Sequence, residues 1–194
     1  MIQGIQTELR PISMDDFKRT YEWRNDEEIA RLEAADWLYR HSHVPLARIE
    51  KAYEEILKLD AREMGEFAIY TKEETPVHIG MIGYRDVHLV SRKCAVGIGI
   101  GDKRYWGNGY GTDAMKALLH YLFQTMNMHR VQLDTFSGNE RAVQSYKKCG
   151  FVEEGRRRED VYCDGMYYDT VMMGVLRKDF VALDYTPQKA ITTV

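Results

Sequence analysis

The sequence has few cysteines, few prolines and no long apolar run, and each shortage excludes a class of protein. The three cysteines, Cys94, Cys149 and Cys163, show no C-x-x-C spacing, which argues against a zinc site or a disulfide framework and indicates a reducing compartment. No apolar stretch approaches the roughly 18 residues of a membrane helix, and the N-terminus has no basic segment followed by an apolar run. We therefore expect a cytoplasmic protein that has no metal and no membrane contact.

The charge and residue balance predict one soluble globular domain. Hydrophobic residues make up 44% of the 194 residues and charged residues 29%, with a formal net charge of −3. This charge argues against a nucleic-acid partner, and the apolar content is enough for a core. Because no repeat or Pro/Gly/Ser linker divides the chain, we predict a single domain over residues 1–183 and a C-terminal extension over 184–194. Association into a homo-oligomer is left open.

The apolar periodicity predicts an α/β chain in the order β-α-α-β-β-β-α-β-α-β-β, with a mixed sheet flanked by helices. Ser13 followed by Asp16 forms a capping-box pattern at the first helix. Thr112 to about Met126 has apolar side chains at helical spacing, and Asn139 to Cys149 is typical of another helix. Asp164–Gly165 marks a final β-hairpin.

Six glycines fall between residues 97 and 111, across the end of a predicted strand and the start of the following helix. Gly97, Gly99 and Gly101 alternate with larger apolar residues, so all three face the same side of the strand. A strand face without side chains would let a slender ligand lie against the backbone. The alternative is that the strand packs tightly against another element or carries a bulge at these positions.

The second group of glycines, in GNGYG (107–111), lies where the strand gives way to the helix. Free amides and the dipole at a helix N-terminus bind phosphate or pyrophosphate, and glycine lets the phosphate oxygens approach those amides. Thr112 offers a hydroxyl donor beside them. A P-loop requires Gly-Lys-Ser/Thr here and a Rossmann fingerprint requires GxGxxG, and the loop has neither. The loop therefore predicts an anion site of another kind.

Two segments together resemble the motifs of the GNAT superfamily of N-acetyltransferases. RYWGNGYGTDA (104–114) is similar to the acyl-CoA pyrophosphate loop, Gln/Arg-x-x-Gly-x-Gly/Ala, with Trp106 where the family usually has Gln or Arg. NERAVQSYKKCGF (139–151) is similar to the later motif Asn-x-x-Ala-x-x-x-Tyr-x-x-x-Gly-Phe. The resemblance covers about Thr7 to Phe180 and is closest to the branch of the ribosomal-protein N-terminal and spermidine acetyltransferases. It implies the GNAT fold, with a mixed, largely antiparallel sheet of about seven strands.

This resemblance also implies an activity and a set of site residues. The chain is expected to transfer an acetyl group from acetyl-CoA directly to a primary amine, which is a protein N-terminus, a polyamine or another small amine. Tyr146 would protonate the departing CoA thiolate, and Asn139 would hydrogen-bond the pantetheine. The end of the glycine strand would pair with the pantetheine and polarise the thioester, and the following loop would hold the pyrophosphate. The expected cofactor-binding residues are Gly99, Ile100, Gly101, Trp106, Gly107, Asn108, Gly109, Tyr110, Gly111, Thr112, Asn139 and Tyr146.

The group that deprotonates the acceptor amine is left open. Many relatives carry a glutamate on the glycine strand, but CAVGIGIG (94–101) has no acid. A water chain or a carboxylate from elsewhere would then serve. The candidates in the helical region that covers the acceptor site are Glu33, Asp36, His41 and His43. Cys149 is interpreted as a buried helix-end residue rather than a nucleophile.

Charged residues give two further expectations. The helical region before residue 40 is acidic and would attract a cationic amine; its acids are Asp26, Glu27, Glu28, Glu33 and Asp36. Candidates for contact with the other phosphates of CoA are Lys103, Arg104, Lys147 and Lys148. A non-catalytic acyl-CoA-binding module with the same fold is the alternative function, and the presence of both Asn139 and Tyr146 argues against it.

Overall fold

A computed structural model describes residues 1–35, 42–58, 60–181, 183, 185 and 186. It consists of one sheet with helices on both faces. In chain order the elements are β1 Ile2–Gln3, β2 Thr7–Pro11, α1 Met14–Arg24, α2 Glu27–Ala34, α3 Leu46–Ile56, β3 Gly65–Thr71, β4 His78–His88, β5 Lys93–Ile100, α4 Tyr110–Gln124, β6 Arg130–Phe136, α5 Glu140–Lys148, β7 Val152–Cys163, β8 Met166–Leu176 and α6 Arg177–Val181.

The sheet has eight strands in the order β1-β2-β3-β4-β5-β6-β8-β7. All neighbouring strands are antiparallel except β5 and β6, which are parallel. That parallel pairing joins only Lys93–Ala95 of β5 to Arg130–Gln132 of β6. Beyond it the two strands separate. The predicted mixed, largely antiparallel fold is confirmed, and the short β1 makes the sheet one strand larger than expected.

Apolar side chains hold α4 against one face of the sheet. Leu118, Leu119, Leu122 and Phe123 are fully buried in the main core, together with apolar residues of the central strands. A smaller cluster on the other face joins α1 to α3; its buried members are Phe17, Val44 and Ile49, with Met81 of β4 packed against them. The sheet is therefore covered on both sides, and its helices can approach the cleft between β5 and β6 from either side.

The helix ends follow the capping chemistry of the sequence. Ser13 caps α1, where its hydroxyl accepts from the Asp16 amide and the Asp16 carboxylate accepts from the Ser13 amide, as predicted. Helix α4 begins at Tyr110, two residues before the predicted start at Thr112. The reason is Gly109, whose φ of +88° lets it serve as the N-cap.

Asp113, in the first turn of α4, fixes the N-terminal segment to the rest of the molecule. Its buried carboxylate accepts hydrogen bonds from the amides of Ile5, Gln6 and Thr7 at 2.9, 3.0 and 2.9 Å, and from the Thr7 hydroxyl at 2.7 Å. Because α4 also begins the predicted anion loop, this one side chain sets the position of the loop relative to β2.

The C-terminal residues that the structure describes lie against the same region. The Tyr185 hydroxyl is 3.4 Å from Asp113 Oδ1, and the Tyr185 ring packs against Phe180 with 6.1 Å between ring centroids. Residue 184 and residues 187–194 lie outside the described part, so the domain boundary at 183 stays a prediction.

Asp113→Ala should lower the free energy of unfolding by about 3 kcal/mol, because three amides and a hydroxyl lose a charged acceptor in a buried place. Urea unfolding followed by circular dichroism measures this change. Asp15→Ala is the matched control, since Asp15 is exposed in the first turn of α1 and its loss should cost less than about 1 kcal/mol. Equal unfolding midpoints for the two variants would contradict the anchoring role of Asp113.

Candidate active site

The separation of β5 from β6 opens a cavity of about 900 Å³. Most of the predicted cofactor-binding residues line it, namely Gly99, Ile100, Trp106, Gly107, Gly109, Gly111, Thr112, Asn139 and Tyr146. Gly101, Asn108 and Tyr110 do not line it. The two sequence motifs, residues 104–114 and 139–151, therefore meet at one cavity.

The backbone direction of β5 decides which of its polar groups face this cavity. A β-carbon added to Gly80 of β4 would overlap the carbonyl oxygen of Gly99, so that carbonyl points toward β4. Successive strand residues direct their amides and carbonyls to alternate sides. The groups that face β6 and the cavity therefore belong to Ile98 and Ile100.

The anion loop reaches the start of α4 through two left-handed glycines. Gly107 has φ +77° and Gly109 φ +88°, a region that favours glycine. Gly109 caps α4 without a side-chain hydrogen bond, and its carbonyl accepts the first helical bond, from the Asp113 amide at 2.9 Å. The amides of the first turn, at residues 110–112, therefore have no partner within the helix. They are the donors that an anion site at this helix end needs.

Trp106 connects the anion loop to the elements on either side of it. Its indole nitrogen donates to the carbonyl of Ile100 at 2.6 Å, which ties the loop to the end of β5. The guanidinium of Arg141, at the start of α5, lies 3.8 Å from the centre of the Trp106 ring. A tryptophan where the family usually has Gln or Arg thus supplies a hydrogen bond and a cation–π contact.

Two of the predicted polar residues are engaged within the protein. The Thr112 hydroxyl is 2.9 Å from the Ser145 hydroxyl on α5. Asn139 caps α5 by accepting from the Ala142 amide at 3.1 Å, and its side-chain amide donates to the Leu32 carbonyl at 3.2 Å. Asn139 therefore connects α2 to α5 across the cavity, a role that the motif did not reveal.

The basic candidates divide into those that are paired and those that line the cavity. Lys103 lies 2.7 Å from Asp26 and 2.8 Å from Glu28, and Arg104 lies 2.6 Å from Asp102. On the α5 side of the cavity, next to the anion loop, the lining cations are Arg141 and Lys148. Lys147 does not line the cavity. The ion pairs of Lys103 also neutralise part of the acidic region that was expected to attract a cationic amine.

Tyr146 lines the cavity from α5, and its ring packs edge-on against Phe151 at 5.9 Å. Burial raises the pKa of the Tyr146 phenol to about 12, with the nearby acidic groups of Cys149 and Glu33 adding to the shift. The phenol is therefore protonated at neutral pH, as a proton donor must be. The pKa of a thiol is about 8.5, so the raised pKa of Tyr146 lies further from it than the pKa of an ordinary phenol does.

The glycine face of β5 is covered rather than bare. A β-carbon at Gly101 would overlap the Trp23 ring of α1, and one at Gly99 would overlap the Glu33 carboxylate of α2. The expectation that a slender carrier lies along this face is therefore wrong at Gly99 and Gly101, and the tight-packing alternative is right there. The open edge of β5, not its face, is what the larger cavity exposes.

Glu33 is the one candidate base whose described side chain lines the cavity. Glu33 is exposed as a residue, but the surrounding protein desolvates its carboxylate and raises its pKa above the ordinary value, against the opposing charge of Arg24. His43 is exposed and contacts Ser42 at 3.1 Å. Asp36 and His41 lie outside the described residues.

A signal in the sequence could have singled out Glu33. Ile29 and Ala30 are buried on the inner side of α2. Residues three and four positions apart share a helix face, so Glu33 follows them on the side that faces the sheet. A carboxylate on an otherwise apolar helix face is the pattern to look for.

Other kinds of chemistry find little support among the described residues. Cys149 is buried, as interpreted, and burial raises the pKa of its thiol to about 12. Within the described ranges no three His, Cys, Asp or Glu side chains are grouped to hold a metal ion. None of the described helices combines the length and the apolar character needed to cross a membrane.

Comparison with known proteins identifies the family. Residues 6–152 match the sequence model of the family described as Acetyltransferase (GNAT) domain, which is more than half of the 194 residues. The chain is a member of the GNAT acetyltransferase family. The family predicted from the loop and the Asn-to-Phe motif is thereby confirmed.

Individual GNAT relatives match at low identity. A Bacillus subtilis protein whose name assigns it provisionally to the ribosomal N-acetyltransferases, YdaF, is 33% identical over 101 residues, which are 52% of this chain and 55% of that relative. The match thus spans little more than half of its length. Spermidine N(1)-acetyltransferase of Escherichia coli K12 is 22% identical over 183 residues, 94% of this chain and 92% of the relative.

A solved structure supports the fold over nearly the whole chain. The spermidine N-acetyltransferase of Vibrio cholerae, solved in complex with CoA and spermine, superposes with a TM-score of 0.78 at 22% identity. The superposition covers 91% of this chain and 98% of the other. At this identity the likeness establishes the GNAT fold.

Gly101→Ala should destabilise the GNAT domain by about 2 kcal/mol, because the new methyl group is forced into the Trp23 ring. In a Trp23→Leu background the same substitution should cost much less, since the ring that it meets is gone. Thermal and urea unfolding of the wild type, the two single variants and the double variant measure the coupling energy between the two positions. A Gly101→Ala variant of normal stability with weakened acetyl-CoA binding alone would restore the bare-face interpretation.

Proposed function

We propose that this protein is an N-acetyltransferase that transfers the acetyl group of acetyl-CoA directly to a primary amine. The observation that carries the proposal is the joint placement of Glu33 and Tyr146 at one cavity beside the open edge of β5. A direct transfer requires a base for the amine and an acid for the leaving thiolate. A carboxylate and a protonated phenol supply both. Relatives named for ribosomal and spermidine N-acetylation support an amine as the acceptor.

The acyl-CoA would lie along the edge that β5 presents to the cavity. The backbone groups of Ile98 and the amide of Ile100, whose carbonyl is held by Trp106, would pair with the pantetheine as a further strand pairs. An amide there would stabilise negative charge on the thioester oxygen. The pyrophosphate would occupy the amides at residues 110–112, with Arg141 and Lys148 close to the remaining phosphates. This arrangement places the thioester between the α2 side and the α5 side of the cavity.

Glu33 would accept the proton of the incoming ammonium group. A primary ammonium of pKa about 10 gives its proton slowly to an ordinary carboxylate, because the two pKa values are far apart. A carboxyl group with a raised pKa reduces this difference. The desolvation of Glu33 therefore suits the role. The free amine then attacks the thioester carbonyl, whose C–S bond breaks as the C–N bond forms, and the nitrogen releases its second proton to solvent as it becomes an amide.

Tyr146 would give its proton to the departing thiolate. Burial is the main cause of the high pKa of Tyr146, and the nearby Cys149 and Glu33 add to it, so the phenol keeps its proton until the thiolate leaves. Afterwards the proton held by Glu33, directly or through solvent, restores the phenol.

Tyr146→Phe should lower kcat by about 10- to 1000-fold while the KM for acetyl-CoA changes little, because only the proton donor is lost. The assay measures release of CoA thiol with a panel of primary amines that begins with spermidine and short peptides. Tyr162→Phe is the control, since Tyr162 is exposed near the tip of the β7–β8 hairpin. Acetyl-CoA binding without thiol release for every amine would instead favour the non-catalytic module.

Glu33→Gln should lower kcat/KM by about 100-fold or more at neutral pH, and the loss should shrink as the pH approaches the pKa of the amine. The wild type should lose activity as the pH falls through the raised pKa of Glu33, because only the carboxylate accepts a proton. That acidic limb should be absent from the variant. Glu27→Gln, at an exposed position of the same helix, should keep the wild-type pH profile. The same profile in both variants would remove Glu33 from the base role.

A further inference from the structure

Next to the main cavity, the sheet has a small chamber with a floor of glycine. Glu66 of β3, Gly83 of β4 and Gly97 of β5 are aligned in register across three neighbouring strands. They line a cavity of about 170 Å³ that shares Arg85 and residues 97–99 with the main cavity. The Gly65 carbonyl and Glu66 cover Gly83, whereas Gly97 has only Arg85 within contact distance, so a small ligand can approach the backbone at Gly97.

The charges around this chamber are of both signs. An added β-carbon at Gly97 would lie 3.4 Å from Arg85 Nη1, so the guanidinium reaches over the chamber floor. Arg24 lines the main cavity beside Glu33. Glu33 and Glu66 are both desolvated, which raises the pKa of each carboxyl against the opposing charges of Arg24 and, at Glu66, of Arg85. Two carboxylates and two guanidinium groups therefore lie together around this chamber and the adjoining part of the main cavity.

The guanidinium groups are available to a ligand. Within the part of the chain that the structure describes, Arg24 forms no close ion pair, and the one partner of Arg85 is exposed Asp86, at 3.6 Å. The acids at the other end of α2 do not offset them, since Asp26 and Glu28 are held by Lys103. An acceptor with several positive charges would therefore meet two guanidinium groups without a surplus of acid.

We propose that the acceptor is a primary amine that also carries an anionic group, a carboxylate or a phosphate, several bonds from the nitrogen. This inference rests on the proposed acetyl transfer. The amine lies against the Glu33 carboxylate, which covers Gly99, and the anionic group lies toward Gly97 within reach of Arg85 and Arg24. Positions two residues apart on a strand are separated by roughly 7 Å, which a chain of four or five carbons spans. Guanidinium groups favour planar, bidentate contact with carboxylate and phosphate.

Amines of matched length test the proposal. 5-Aminopentanoate, 1,5-diaminopentane and pentylamine share a five-carbon chain and differ in the charge at the far end, and an aminobutyl phosphonate provides the phosphate-like arm. The expected kcat/KM for one of the two anionic amines exceeds that for the diamine by about tenfold or more, which corresponds to one charged contact. The anionic probe with the higher kcat/KM shows whether the site favours a carboxylate or a phosphate-like group. A diamine or spermidine that reacts faster than both would overturn the proposal.

Variants separate this inference from the proposed activity. Arg85→Met should lower kcat/KM for the preferred anionic amine by about tenfold and leave pentylamine within about twofold, and Arg85→Glu should reverse the preference toward the diamine. Arg48→Met is the control, because Arg48 is exposed on α3 and lies outside both cavities. If pentylamine reacts as well as the charged amines and Arg85→Met changes nothing, the acetyl transfer stands and the anionic acceptor falls. If no amine reacts although acetyl-CoA binds, the proposed activity itself fails.

Discussion

The parallel pairing of β5 with β6 stops after Ala95, although both strands continue. Backbone amides and carbonyls that leave a sheet ladder need other partners, so the edge from Val96 to Ile100 is a place for an extended ligand to pair. The cavity, its two walls and the approach of α4 and α5 from one side all depend on this separation. A continuous parallel pairing along both strands would close the site.

The proposed base and the proposed acid lie on opposite sides of this opening, so two side chains can serve both proton transfers of an acetyl transfer. Glu33 comes from α2 and Tyr146 from α5, and each is perturbed by burial in the direction that favours its neutral form. Asn139 holds these two helices together through the Leu32 carbonyl. This hydrogen bond joins the helix that carries the base to the helix that carries the acid.

The glycines serve several purposes that are distinct in physical terms. Gly107 and Gly109 adopt left-handed backbone angles that lead the chain into α4. Gly99 and Gly101 make room for side chains of α1 and α2, whereas Gly97 leaves the backbone open beside Arg85 in the acceptor chamber. One alternating strand pattern thus combines tight packing at one end with an open surface at the other.

Local patterns in the sequence were enough for the α1 capping box, the β7–β8 hairpin and the GNAT family, because each depends on residues close together in the chain or on two motifs of fixed spacing. They predicted most of the element order but missed β1, one of the three helices before β3, and α6. They also gave the loop at residues 107–112 and the position of Tyr146 on α5. Only the tertiary structure decided that Trp23 and Glu33 cover the glycine face, that Lys103 is consumed by Asp26 and Glu28, and that Arg85 faces Gly97. The contacts of Trp23, Glu33 and Lys103 join elements tens of residues apart and follow from how helices pack on the sheet, and the contact of Arg85 with Gly97 follows from the register of β4 and β5; no local spacing encodes either.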